Sequence, residues 1–288
     1  MRTRAFRPFA LGLAALLLGC SQASEERAEG ERFVAQMEVE HADDAPVASG
    51  AAESEPALAV AAERVRYATV DGREISGYLA RPRGTAGPLP GIVVIHEWWG
   101  LNDNVRAMTQ RLAGEGYAAL AVDLYEGETA ATPERASELA RATVGRSAAV
   151  VSNLSQAIGY LRRSIGTSAV GTIGWCMGGG WSLQASLANP ETVDATVIYY
   201  GRLVTEPERL SVLRGPVLGL FGADDRSIPL ETIREFESAL SELGKPIEVH
   251  VYEGANHAFA NPSGRAYNAG AAEDAWRQTL AFFAKHLR

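Results

Sequence analysis

Cysteine is scarce in this sequence, which has only Cys20 and Cys176 among 288 residues. So few cysteines exclude a disulfide-stapled scaffold, and no two histidines have the spacing of metal ligands. A phosphate-binding loop is also missing, because the glycines at 178–180 do not precede a Lys-Ser or Lys-Thr pair. We therefore predict no metal and no cofactor.

Basic residues are outnumbered, with 27 Lys and Arg against 35 Asp and Glu and a formal charge of −8. This balance argues against a nucleic-acid-binding protein. Most of the excess lies in residues 20–57, which hold ten acidic residues against two arginines. Hydrophobic residues are 47% and charged residues 22% of the chain, which is near the globular average and sufficient for a sizeable core.

The N-terminus has no apolar run long enough to span a bilayer, since the run at 9–18 is too short. Three arginines precede it, and a basic segment followed by a short apolar one is typical of an export signal. The run ends in Leu17-Leu18-Gly19-Cys20, which resembles the lipobox of bacterial lipoproteins. The resemblance implies a signal peptide over 1–19, cleavage before Cys20 and acylation of that cysteine. The alternative is an ordinary secretory signal with a chance cysteine.

If the lipobox interpretation holds, the protein is exported and lipid-anchored in the bacterial envelope, at the outer membrane and facing the periplasm. Several acyl chains would anchor it firmly, and no other membrane contact is expected. Residues 20–62 are rich in Ala, Glu and Ser and show no clear period, so we predict an acidic flexible tether there.

The folded domain is predicted over 63–288, where strands and helices alternate. Asp71-Gly72 indicates a hairpin turn at its start. The alternation predicts an α/β fold with a mostly parallel, doubly wound sheet and helices on both faces. The predicted strands are 65–70, 74–80, 91–96, 118–122, 169–175, 195–200, 216–221 and 247–252. The predicted helices are 102–116, 133–165 with a break near Gly145, 177–188, 230–243 and 273–286.

The strongest local motif is Gly174-Trp175-Cys176-Met177-Gly178, at a predicted strand-to-helix junction. It matches the nucleophile elbow of hydrolases, G-x-S-x-G, with cysteine in place of serine. The N-terminus of the following helix would favour a thiolate at Cys176. The alternative is a buried core cysteine beside a packing glycine.

Two further strand ends carry candidate partners for this cysteine. Asp224-Asp225 follows the strand at 216–221, and His257 follows the last strand. The chain order of nucleophile, acid and histidine is that of the α/β-hydrolases. His257 would take the thiol proton and later activate water, while the aspartate would orient the imidazole. Chemistry alone does not separate Asp224 from Asp225.

From Arg64 to the C-terminus the sequence resembles the dienelactone hydrolases, or carboxymethylenebutenolidases. The segments that carry the likeness are 174–179, His96-Glu97-Trp98-Trp99-Gly100-Leu101-Asn102, Asp123-Leu124-Tyr125, Tyr199-Tyr200-Gly201 and the two loops above. The resemblance implies an α/β-hydrolase fold and hydrolysis of an ester or lactone through a thioester on Cys176. It also implies Asp225 as the acid and an oxyanion hole formed by the backbone N–H groups of Met177 and Trp98.

Glu97 corresponds to a family glutamate that holds the resting thiol and releases it as thiolate when substrate arrives. Independently of the family, a carboxylate at the end of an apolar strand is costly to bury unless it is paired. The alternative is a glutamate that caps a helix or forms an ion pair. We expect a structural role for His96.

The substrate-binding residues are less defined. Family members hold a substrate carboxylate with arginines, for which Arg135, Arg141 and Arg202 are the candidates here. The aromatic residues could line the mouth of the site or belong to the core: Trp98, Trp99, Tyr125 and Tyr200. We predict a small-molecule ester or lactone as the substrate and a monomer. The alternatives are a broader carboxylesterase or thioesterase acting on an envelope metabolite, and an inactive tethered binding protein.

Overall fold

An antiparallel hairpin forms one edge of the sheet. The computed structural model describes residues 11–42, 44–46, 55–85 and 87–288. Strands β1 (Val60–Val70) and β2 (Arg73–Pro82) are joined by Asp71 and Gly72, whose φ angles are 49° and 78°. A type I′ turn needs positive φ at both central residues, which explains the Asp-Gly pair. The hairpin is where the sequence predicts it, although β1 begins earlier.

Six further strands complete an eight-stranded sheet in the order β1-β2-β4-β3-β5-β6-β7-β8. All pairs from β4 to β8 in this order are parallel, and only the β1-β2 and β2-β4 pairs are antiparallel. This arrangement is the mostly parallel sheet of an α/β-hydrolase, as predicted. The strands are β3 (Gly91–Ile95), β4 (Ala118–Ala121), β5 (Val170–Trp175), β6 (Ala195–Tyr199), β7 (Val217–Gly222) and β8 (Ile247–Tyr252).

The helices follow the predicted alternation closely. The break predicted near Gly145 lies at Arg146, between two helices, and a π-helical turn over Leu161–Ile165 ends the second one. The short helix α6 is not predicted. The helices are α1 (Leu11–Glu40), α2 (Asp103–Gly114), α3 (Pro133–Gly145), α4 (Ser147–Tyr160), α5 (Met177–Ala188), α6 (Pro207–Leu210), α7 (Leu230–Glu242) and α8 (Ala269–Leu287).

The middle of the sheet lies between two layers of helices. Every residue of β3, β4, β5, β6 and β7 is buried, which explains their continuous apolar runs. The closing helix α8 packs Phe283 and Leu287 against β5, where Gly171 leaves no room for a Cβ. Because these strands are parallel, their carboxyl ends lie at the same edge of the sheet, and the candidate site lies there.

The segment before β1 differs from the predicted tether. Residues 20–40 belong to α1, and Val34 and Met37 on this helix are buried in the main core. Ala and Glu are good helix formers. The amphipathic pattern of this helix is weak, so packing against the rest of the protein stabilises it. Residues 1–10 and the side chain of Cys20 lie outside the described part of the chain. Within that part, no helix is both long and apolar enough to cross a membrane.

Candidate active site

Cys176 lies on a strained turn between β5 and α5. Its φ of 56° and ψ of −121° are unusual for a residue with a side chain, and such strain concentrates at functional sites. Its N–H donates to the carbonyl of Tyr199 at 3.0 Å, which ties the turn to β6. A Cβ on Gly174 would lie 2.0 Å from the carbonyl oxygen of Gly178, so the turn requires glycine. The predicted elbow is thus present in the structure.

The thiol of Cys176 is enclosed, with only 2% of the residue exposed. Burial raises the pKa of Cys176 well above its usual value, and the nearby Glu97 carboxylate raises it further. The backbone N–H groups of Met177 and Trp98 hydrogen-bond the sulfur and lower this pKa. The sulfur therefore faces the two N–H groups that the sequence analysis assigns to the oxyanion hole.

The acid loop follows β7 and places its two aspartates in different surroundings. Asp225 is buried, whereas Asp224 is exposed. One carboxylate oxygen of Asp225, Oδ1, accepts the N–H groups of Ser227 and Ile228 at 2.8 and 3.1 Å. The other oxygen, Oδ2, lies 2.8 Å from Nδ1 of His257. Asp225 is thus the acid that contacts the histidine.

His257 follows β8 and is almost fully buried. With Nδ1 bound to Asp225, its second ring nitrogen, Nε2, is buried and has no hydrogen-bond partner among the described residues. The Cys176 thiol donates instead to Sδ of Met37, at 3.4 Å. The structure therefore contains the Asp–His pair and the cysteine, with the thiol turned away from the imidazole.

Glu97 follows β3 and is held by two neutral side chains. Its Oε1 accepts the hydroxyl of Tyr200 at 3.3 Å, and its Oε2 accepts the amide of Asn261 at 2.5 Å. Burial raises the pKa of Glu97 to about 7. Both of these hydrogen bonds are to other residues than Cys176. Glu97 therefore raises the pKa of the thiol through its charge.

His96 has a structural position, as the sequence analysis expects. Its Nδ1 lies 2.5 Å from the carbonyl of Glu97, and its Nε2 accepts the N–H of Leu124 at 3.2 Å. Burial lowers the pKa of His96, which favours the neutral ring. Both nitrogens are therefore bound to the backbone, which fixes the ends of β3 and β4.

The four aromatic candidates lie in the core rather than at an open mouth: Trp98, Trp99, Tyr125 and Tyr200 are each at most 4% exposed. The hydroxyl of Tyr125 donates to the carbonyl of Trp98 at 3.0 Å, and the Trp98 and Trp99 rings are 5.0 Å apart. The Tyr200 ring is 5.1 Å from that of His257. Of the four, Tyr200 therefore packs against the Asp–His pair.

The arginine candidates are already paired. Arg135 binds Glu128 and Glu138 at 2.5 and 2.6 Å on an exposed surface, so the structure does not bring it to the cysteine. The other two bind carboxylates of α1. Arg141 binds Glu38 at 2.7 Å, and Arg202 binds Glu29 at 3.1 Å.

One group of possible metal ligands lies at the site. Among the described residues, Glu40, Asp225 and His257 have ligand atoms within 4.8 Å of one another. Asp225 and His257 already hydrogen-bond each other, and Glu40 accepts the hydroxyl of Ser227 at 2.8 Å. The carboxylates of Asp225 and Glu40 and the Nδ1 atom of His257 therefore already have hydrogen-bond partners, whereas Nε2 of His257 has none among the described residues.

Sequence reasoning missed three residues that contact the site: Met37, His41 and Asn261. Asn261 stands four residues after His257, within the histidine loop. Met37 follows Val34 by three residues and His41 follows Met37 by four, a spacing that places them on one helical face. That spacing is the available signal, although three residues in an acidic segment make it weak.

The match to a known family covers the whole sheet except β1 and the first two residues of β2. The family model described as "Dienelactone hydrolase family" matches residues 75–287. The chain belongs to the dienelactone hydrolase family. A relative from Saccharolobus solfataricus, provisionally named a carboxymethylenebutenolidase, is 33% identical over 249 residues, covering 74% of this chain and 94% of its own. A similarly named Escherichia coli protein is 32% identical over 232 residues, covering 75% of this chain and 84% of its own.

Solved structures of this family have the same fold. A crystal structure described provisionally as a dienelactone hydrolase, from Klebsiella pneumoniae, superposes with a TM-score of 0.68 at 31% identity. It covers 79% of this chain and 100% of its own. A dienelactone hydrolase-like promiscuous phosphotriesterase from metagenomic libraries has a TM-score of 0.73 at 27% identity, covering 80% of this chain and 100% of its own. The match to the dienelactone hydrolase family model begins at residue 75, after α1.

Proposed function

We propose that this dienelactone hydrolase family member cleaves a small-molecule ester or lactone with Cys176, His257 and Asp225. The observation that carries the proposal is the buried 2.8 Å contact between His257 and Asp225 at the strand edge that also holds Cys176 on its strained turn. A nucleophile, a base and a group that orients the base are the three parts of this chemistry.

The reaction begins when the thiol turns from Met37 to Nε2 of His257, which is buried without a partner. His257 takes the thiol proton, and the sulfur forms a bond to the substrate carbonyl carbon while the C=O pair moves to oxygen. The N–H groups of Met177 and Trp98 stabilise that oxyanion. Collapse breaks the bond to the alkoxide, which leaves with the proton from His257.

The second half regenerates the cysteine. His257 removes a proton from water, the hydroxide attacks the thioester carbonyl, and the C–S bond breaks. The thiolate recovers the proton, and the acid product leaves. Glu97 raises the pKa of the thiol, which keeps Cys176 protonated and unreactive until the carboxylate is displaced or neutralised.

The substrate class follows the relatives' provisional name, carboxymethylenebutenolidase, and the walls of the site are aromatic. We propose further that the protein acts in the bacterial envelope, anchored by a lipid on Cys20, because its N-terminus resembles a lipoprotein signal.

The test is Cys176→Ala, with Cys20→Ser as the control at the only other cysteine. We expect Cys176→Ala to lose at least about a hundredfold in hydrolysis of p-nitrophenyl acetate, since the nucleophile is gone. Its Tm should change by no more than about 4 °C, because the substitution removes one buried atom. Intact mass should show an acyl adduct on the parent chain and on Cys20→Ser only.

Residual activity in Cys176→Ala above a hundredth of the parent rate would contradict the nucleophile assignment. A parent chain whose Cys176 is readily alkylated by iodoacetamide, yet shows neither turnover nor an acyl adduct, would contradict the proposed function. That result would favour a ligand-binding protein on the same scaffold.

A further inference from the structure

The C-terminal half of α1 and the turn after it lie directly over Cys176. We name residues 29–42 the cover. Its inner face consists of Phe33, Val34, Met37 and His41, of which Val34 and Met37 are 2% and 1% exposed. Its outer face carries Val39, which is 74% exposed. The cover therefore packs a mostly apolar inner face against the cysteine.

Met37 occupies the space in front of the nucleophile. The Sδ atom of Met37 is 3.4 Å from Sγ of Cys176. The same Sγ atom also faces the N–H groups of Met177 and Trp98. A substrate carbonyl carbon must come within about 3–3.5 Å of the attacking atom, with its oxygen at the oxyanion hole. Met37 and a reacting ester therefore compete for one position.

The cover also closes the space around the imidazole. The Phe33 ring is 6.0 Å and the His41 ring 5.7 Å from the ring of His257, and the His41 ring is 5.5 Å from that of Trp98. With the cover in place, His257 and Cys176 are almost fully buried. Neither side chain is open to a molecule in solution while the cover is in place.

Polar contacts around the rim hold the cover to three separate parts of the body. Glu29 binds Arg202 after β6, Glu38 binds Arg141 on α3, and Glu40 accepts the hydroxyl of Ser227 in the acid loop. The ion pairs are partly exposed to solvent, and exposed ion pairs contribute little to stability. Opening the cover breaks these polar contacts and exposes its apolar inner face, and it leaves the sheet intact.

We propose that the cover is a closing element of this enzyme, and that substrate reaches Cys176 only after residues 29–42 move off the site. The cover lies before residue 75, where the match to the family model begins, so the matched part of the chain does not include it. It also lies after the predicted cleavage before Cys20, so it stays in the processed chain.

A reversible lock tests the proposal directly. A Cβ on Gly30 would lie 3.5 Å from the Cβ of Val144 on α3, within the range of a disulfide. In the full-length Gly30→Cys/Val144→Cys protein, oxidised glutathione takes two electrons and the two thiols become a disulfide that holds the cover closed. Alkylation of Cys176 by iodoacetamide is then measured by peptide mass, together with hydrolysis of p-nitrophenyl acetate. The control is Val144→Cys, which has no partner thiol.

We expect the locked protein to be alkylated at Cys176, and to hydrolyse ester, at least about tenfold more slowly than the same protein after reduction and removal of the reductant. Val144→Cys should show no difference between oxidised and reduced samples. Equal alkylation rates in the locked and reduced proteins would overturn the proposal.

A second variant opens the cover without a disulfide. Val34→Asp places a carboxylate on the buried face, whereas Val39→Asp places the same carboxylate on the exposed face of the same helix. Burying a carboxylate without a partner is costly, so we expect Val34→Asp to raise the alkylation rate of Cys176 about tenfold or more. Val39→Asp should stay within about twofold of the parent.

A folded Val34→Asp protein that alkylates at the parent rate would also overturn the proposal. Alkylation needs no turnover, so the cover is tested separately from the proposed hydrolysis. If the lock slows alkylation in a chain that hydrolyses no ester, the cover stands and the proposed function fails.

Discussion

At the scale of single residues, two adjacent carboxylates show how burial assigns a role. Asp224 is exposed, and its recorded backbone bond to Ala255 involves no carboxylate oxygen. Asp225 is 5% exposed and uses both carboxylate oxygens, one on two backbone N–H groups and one on His257. The resemblance to the family pointed to Asp225, and the contact geometry supports it independently.

We expect Asp225→Asn to lower kcat/KM by about 10²–10⁴-fold, since an amide does not stabilise the imidazolium and favours the wrong tautomer of His257. The matched control Asp224→Asn should stay within about twofold. Ester hydrolysis by the two purified variants is the measurement. A larger loss in Asp224→Asn would reassign the acid.

Glu97 predicts a pH dependence of stability. In the folded protein its carboxyl has a pKa of about 7, because burial disfavours the charge, whereas the ordinary value is 4.5. Between these values the folded state binds more protons than the unfolded state, so this group's contribution to stability is present below pH 4.5 and is lost as the pH rises through 7.

Glu97→Gln removes this titration. The amide oxygen can still accept from Asn261, and the amide nitrogen can donate to Tyr200. We expect the parent chain to lose up to about 3 kcal/mol relative to the variant between pH 5 and pH 8. Urea unfolding of both proteins at the two pH values gives the difference. Parallel pH curves would show that Glu97 is not protonated in the folded state.

At the scale of elements, the strand–turn–helix unit of β5 and α5 could be predicted completely from the sequence. A buried apolar strand, a G-x-C-x-G turn and a helix follow one another, and all the signals are local. The structure adds the physical reason for the glycines. A Cβ on Gly178 would lie 2.4 Å from the carbonyl oxygen of Ile95, so the turn packs directly on β3.

Gly174→Ala is therefore expected to destabilise the protein by about 1–3 kcal/mol or more, because its Cβ would meet the backbone of Gly178 at 2.0 Å. The control is Gly145→Ala at the end of α3, where nothing lies within 4 Å of the added atom. There we expect no loss and a gain of at most about 1 kcal/mol. Urea denaturation of the two variants makes the comparison, and equal losses would refute the packing argument.

Helix α1 is the element in which the structure differs from the predicted tether. A composition rich in Ala and Glu is typical of a flexible tether. It is equally typical of a helix, since Ala and Glu favour helices when another part of the protein covers one face. The carboxylates that suggested self-repulsion bind arginines on the body, as Glu38 and Glu29 do. Composition could not distinguish the two outcomes because the binding surface is formed by distant parts of the chain.

At the scale of the whole molecule, the proposed catalytic groups come from the second half of the sequence and the cover from its N-terminal part. The thiol of Cys176 contacts a residue 139 positions away, and His257 lies between the acid loop and the inner face of the cover. Two of the arginines considered for substrate binding are bound by the cover instead. Closing the site therefore also occupies the cationic groups around it.

The sequence by itself determined the doubly wound sheet, the hairpin at Asp71-Gly72, the elbow at Cys176 and the order in which the cysteine, the aspartate loop and His257 follow one another. These features follow from local periodicity and turn chemistry, which neighbouring residues carry. Only the tertiary structure decided that Asn261 and Tyr200 hold Glu97, that the arginines are paired and that α1 lies over the thiol. Those contacts join residues far apart in the chain, and they depend on how the elements pack rather than on any local pattern.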